Sequence, residues 1–76
     1  MWFPPVVRIK GRGRYVFLLA WRQDKHGRWR GHVAWLVREQ VLWKGVDVWM
    51  RAEELEQVHG QDYRRVPRRI DDDAPF

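Results

Sequence analysis

With 76 residues, six of them tryptophan and none cysteine, the chain is sized for one small domain, without disulfide staples or thiolate metal sites. The net charge of +5 is uneven: residues 1–50 hold ten Lys/Arg against three Asp/Glu, and residues 51–76 hold five against seven. Serine and threonine are absent as well, which leaves only Tyr15 and Tyr63 as hydroxyl nucleophiles, so an enzyme is not expected.

The opening "MWFPPVVRIKGRGR" lacks the apolar core and small-residue cleavage site of a secretory leader, and no later apolar run approaches the roughly 18 residues of a membrane span. A soluble, cytoplasmic protein with no membrane partner is expected. Within that opening, "VVRIK" reads as a first short strand. The "GRGR" that follows supplies two glycines for positive backbone angles or a bulge. A phosphate loop is not expected there, because its Lys and Ser/Thr are missing and no helix follows.

The run "RYVFLLAWR", Arg14 to Arg22, is apolar on both faces and rich in strand formers, and is expected to be the most buried strand. "QDKHG" is a hairpin loop ending in glycine. In "RWRGHVAWLVR" the alternation is explicit: Trp29, Gly31, Val33, Trp35 and Val37 share one face, and Arg28, Arg30, His32, Ala34, Leu36 and Arg38 the other. Trp29 and Trp35 are therefore assigned to the core. A turn at "EQ" leads to "VLWKGVDVWM", where Val46, Val48 and Met50 alternate with Asp47 and Trp49 and Gly45 suggests a bulge or bend. "RAEELEQV" is the one helix-prone stretch, long enough for a single helical or 3₁₀ turn, after which "EQVH" can return as a last strand. The spacing of Trp21, Trp29, Trp35, Trp43 and Trp49 suggests short hairpins bringing the rings back to one side.

From Gly60 the chain changes to "GQDYRRVPRRIDDDAPF", which has no periodicity. It reads as an extended tail, residues 60–76, after a domain of residues 1–59, with Tyr63 and Val66 available to pin its first half. Asp71, Asp72 and Asp73 could fold back on the basic face.

Five short strands with one helical or 3₁₀ turn before the last make a mainly β fold that resembles the SH3-like small barrel. "GRWRGHVAWL" is similar to the third strand of such barrels, and "VDVWMRAEELEQV" to their fourth strand, 3₁₀ turn and fifth strand. The ending "GQDYRRVPR" resembles that of short uncharacterised actinobacterial proteins, which suggests a bacterial source and implies no function. Trp29-Arg30-Gly31 is also similar to a W-x-G strand of the plasmid-encoded, trimethoprim-resistant dihydrofolate reductases. Their pore-lining Val-Gln-Ile-Tyr run aligns with Val46-Asp47-Val48-Trp49 here, so the glutamine and tyrosine are lacking and the activity does not carry over.

His26, His32 and His59 show no metal-ligand spacing, and no metal or cofactor is expected. What remains is arginine interleaved with aromatic residues. Arg8, Lys10, Arg12, Arg14, Arg22, Arg28, Arg30 and His32 are the candidate nucleic-acid contacts, because guanidinium groups bind phosphate bidentately. No base-reading motif is visible, so such binding is expected to follow charge and shape. The alternative is a protein-interaction or oligomerisation module. A small barrel cannot internalise every ring, and Trp2, Trp43, Trp49 and Tyr63 are the candidates to meet an acidic or proline-rich protein segment or a second copy.

Overall fold

A computed structural model describes residues 2–70. It is mainly β, with strands β1 (Val6–Ile9), β2 (Arg14–Gln23), β3 (Trp29–Glu39), β4 (Leu42–Arg51), β5 (Leu55–Gln57) and β6 (Arg68–Ile70), and a 3₁₀ turn at Ala52–Glu54 between β4 and β5. The strands lie in the order β4-β3-β2-β1-β5, every neighbouring pair antiparallel, and β6 joins β2 in parallel. Among the described residues the hydrogen bonding does not close on itself: β4 and β5 are the two ends of this path.

β2 is central because its two halves have different neighbours along one edge. Its first half pairs with β1, Val7 opposite Val16, and its second half pairs with β6, Arg22 opposite Arg69. Two proline carbonyls mark the changeover: the Leu18 amide donates to Pro5 O at 2.8 Å and the Trp21 amide to Pro67 O at 2.8 Å. On the other edge the β2–β3 register shifts between Leu18 and Ala20. A residue inserted there twists and bends the strand, turning its second half toward β6. The bulge expected at Gly45 is absent, since Leu36 pairs with Gly45 in an unbroken register. Gly11 and Gly13 do take positive φ, 79° and 63°, as the β1–β2 turn requires.

Period-two alternation sorts β3 as expected, with Val33 fully buried and Trp35 packed against the core, but Trp29, also assigned to the core, is half-buried at its margin. Val7, Ile9, Val16, Leu18, Val33, Leu55 and Val66 form the core, with Trp21, Trp35, Met50 and Tyr63 packed around it. The rings do not all return to one side. Trp21, Trp29 and Trp35 share the face of Leu18 and Val33, whereas Trp43 pairs with Arg38 and Trp49 with His32 on the opposite face. The hairpin register decides this, because residues opposite one another in an antiparallel pair point the same way.

Residues 61–70 pack onto the sheet, and the last three of them join it. Val66 is buried, and the Tyr63 hydroxyl donates to Val6 O at 2.6 Å and accepts from the Val58 amide at 2.7 Å. Arg68–Ile70 then add a sixth strand where five were expected. The proposed return of Asp71, Asp72 and Asp73 to the basic face lies outside the described residues.

Gly31 is the tightest point in the core. A Cβ there would lie 2.8 Å from Leu55 Cδ1 and 3.1 Å from both Leu18 Cδ1 and Trp21 Cζ3. Gly31→Ala is expected to cost about 1–3 kcal/mol through overpacking, read as a lower urea midpoint at unchanged slope. The same substitution at Gly45, where a Cβ meets nothing within 4 Å, should leave the midpoint nearly unchanged.

Candidate functional site

The hairpins bring distant arginines into line. The loop between β2 and β3 places Arg22 opposite Arg30, the β3–β4 hairpin places Arg30 opposite Arg51, and the parallel β6 places Arg69 opposite Arg22. Arg69, Arg22, Arg30 and Arg51 thus form one row across β6, β2, β3 and β4 on the face away from the core. Adjacent strands lie about 4.8 Å apart, so the row is a line of planar, permanently charged donor groups.

Trp49 lies beside this row on β4, two residues from Arg51 and opposite His32. Its ring stacks on His32 at 4.6 Å between centroids and 15° between planes, and the Arg22 guanidinium sits 4.9 Å from its centroid. The His32 Nε2–H donates to Asp47 Oδ2 at 2.6 Å. Trp49, expected as an exposed partner contact, is half-buried between a histidine and an arginine. In this place its ring holds Arg22 by a cation–π contact. Arg51 closes one end of the row, with its Nη2 donating to Glu54 Oε1 at 3.4 Å.

The loop before Arg30 is fixed by Asp24, 5% exposed, whose Oδ1 accepts from the His26 amide at 2.9 Å and the Arg28 amide at 3.0 Å. Those bonds, the Arg28 amide first, hold the Asp24 carboxyl below its ordinary range. Arg28 is exposed, two residues before Arg30. A comparable acidic turn lies near β6: Asp62 accepts from the Arg64 side chain and amide, which push its pKa down to about 2.

Both carboxylates bind fewer protons folded than unfolded, so their contribution to stability is present above the ordinary carboxylate range and is lost on acidification. The melting temperature should therefore fall as pH drops from about 4 toward 2. Replacing both residues with asparagine should flatten that part of the profile in a series of thermal melts.

The remaining expected contacts lie elsewhere. Arg8 is ion-paired with Glu56 at 2.7 Å. Lys10, Arg12 and Arg14 cluster at the β1–β2 turn, Arg14 lying 5.5 Å over the Trp35 ring. From Arg14 to Arg22 along β2 is roughly 25 Å at about 3.3 Å per residue, so these cations form a separate group. Of the ring candidates, Trp43 is 66% exposed and Trp2 is 38% exposed. Trp2 lines an open hollow of about 700 Å³ with Pro4, Pro5 and Arg65. Tyr63 is tied to the backbone as described, and with Trp21, Trp29 and Arg68 it borders a smaller hollow of about 240 Å³.

Among the described residues no group of His, Asp and Glu is gathered to hold a metal ion. No helix there is long and apolar enough to cross a membrane. Comparison with protein-family models, curated proteins and solved structures gives no match to the chain.

Proposed function

We propose that the protein is a non-enzymatic, SH3-like binding module that takes the phosphate backbone of a nucleic acid along the Arg69-Arg22-Arg30-Arg51 row. The strand order and the 3₁₀ turn between β4 and β5 support the small-barrel reading. The single observation that carries the function is the register. Three successive Arg–Arg pairings bring four guanidinium-bearing residues into one line on one face, an arrangement that matches the linear run of phosphates along a nucleic-acid backbone. A guanidinium group can meet a phosphate with two parallel N–H donors. Because Trp49 is packed between His32 and Arg22, affinity comes from charge, with little base stacking.

A fluorescence-anisotropy titration with labelled duplex and single-stranded DNA at low and moderate salt tests this reading. Binding at low salt that weakens steeply at moderate salt, with little preference among sequences, is the expected result. A chain that binds neither probe at low salt does not have this function.

A second reading, a protein-contact module, is favoured by a different observation. Beyond Ala34, β3 is no longer covered by β2, and the end of the β3–β4 hairpin is a two-stranded ribbon. That ribbon exposes Leu36 63%, Val41 83%, Leu42 71% and Trp43 66%, and an apolar surface of this kind marks an interface.

A further inference from the structure

We propose that a second copy of this chain pairs antiparallel with the open edge of β4, about a two-fold axis passing through Val46. This rests on the protein-contact reading and names its partner.

β4 spans Leu42–Arg51 and among the described residues pairs only with β3. An edge strand presents a row of peptide N–H and C=O groups, and proteins that keep such an edge single shorten it, bulge it, or place proline or charges on it. β4 has ten residues, no proline and no register shift against β3, and of its three charged residues Asp47 meets His32 and Arg51 meets Glu54 within the chain, the third being Lys44. The other end of the path, β5, has three residues. Head-to-tail pairing of β4 with β5 of the next copy would cover only a short stretch and leave most of the edge open. Pairing β4 with itself covers nearly all of it and closes after two copies.

The self-pairing register follows from the sequence of the strand. A two-fold axis normal to the sheet keeps the core side of one copy beside the core side of the other, so residues of like parity must oppose each other. An axis at Asp47 sets that carboxylate against its own copy, and one at Lys44 does the same for two ammonium groups; both are disfavoured. An axis at Gly45 or Val48 shortens the overlap. With the axis at Val46, Leu42 faces Met50 and Val46 faces Val46 on the core side, where Lys44 lies beside Val48. On the other side Trp43 faces Trp49 of the partner subunit, and Gly45 leaves room opposite Asp47. Trp43, 66% exposed in the single chain, thereby gains an aromatic neighbour, and no like charges meet.

The absence of native cysteine makes the test direct. Sedimentation velocity of the full chain from micromolar to submillimolar concentration should reveal a species of twice the 9.4 kDa chain mass, largely indifferent to salt. Val46→Cys should oxidise to a covalent dimer in high yield and Trp43→Cys should not, because only residue 46 meets itself on the axis. Should Val46→Cys fold poorly by circular dichroism, the Lys44→Cys/Val48→Cys double variant cross-links between copies instead, and neither single variant does. A chain that stays monomeric at every concentration, one that forms larger rings, or one in which Trp43→Cys links as fully as Val46→Cys overturns the proposal. Nucleic-acid binding measured on the same samples is independent of that outcome. Loss of the dimer with binding retained removes only the proposal made here.

Discussion

Leu18→Ala should lower stability by about 2–5 kcal/mol, the range for emptying a filled leucine site. Leu18 is 0% exposed, lies opposite Val33, and donates its amide to Pro5 O just before the β2 bulge. Its side chain also sits 3.1 Å from where a Gly31 Cβ would be, so the space it fills is bounded by β3 as well as by its own strand. A domain of this length has about 4–11 kcal/mol in total, so one substitution can remove half of it. In urea denaturation the midpoint should fall by a third or more at unchanged slope, with the melting temperature lower by about 10 °C or more. Leu18→Met, which conserves volume, should cost less than about 1.5 kcal/mol. Leu36→Ala, at a leucine 63% exposed, should stay within about 0.5 kcal/mol of the parent. Equal effects at Leu18 and Leu36 would mean that the core is not where β2 crosses β3.

Replacing Arg22 and Arg30 together with alanine should weaken binding to duplex DNA at low salt by on the order of a hundredfold. Each removes a charge-assisted contact of about 1.5–3 kcal/mol, and the two are neighbours in one row, so their effects will not simply add. Arg22 carries a second role, because its guanidinium covers the Trp49 ring at 4.9 Å. Arg22→Lys is thus informative: an ammonium keeps the charge but loses the planar fork and the stacking. We expect it to recover less than half of the lost binding free energy. The Lys10→Ala/Arg12→Ala pair removes two charges from the distant β1–β2 turn and should weaken binding less than tenfold. Comparable losses from the two pairs would indicate a diffuse positive field in place of a site.

The hairpins are legible in the sequence, but their centres are not. A loop at "QDKHG" is centred on Lys25 and sets Arg22 against Arg28, whereas the register is centred on His26 and sets Arg22 against Arg30. The second hairpin shows how sensitive such inference is. A turn at "EQ" sets Arg30 against Trp49, whereas the turn lies at Gln40 and Val41, with Gln40 at φ 55°, and sets Arg30 against Arg51. Glutamine gives no signal for a positive φ, which is normally supplied by glycine or asparagine. A displacement of one residue in the turn moves the partner by two, which keeps the face and changes the neighbour. Arg51 falls in the helix-prone "RAEELEQV" on the sequence reading and is absent from the expected set for that reason, whereas it is the last residue of β4. Arg69 was harder. Its strand is three residues long and pairs in parallel with a strand far back in the chain, and no local pattern encodes a long-range parallel partner. On sequence alone Trp49 is a ring left over from the core, because the stacking that holds it depends on His32 and Arg22 from two other strands.

The most direct test is the salt dependence of DNA affinity in the Arg51→Ala and Arg69→Ala variants, since those residues join the row only through β4 and β6. If the row grips phosphates, the slope of log K against log salt should become shallower by about 0.9 in each variant, with the fold intact by circular dichroism. An unchanged slope in both, alongside a shallower one in Lys10→Ala/Arg12→Ala, would place the polyanion at the other end of β2 and contradict the assignment.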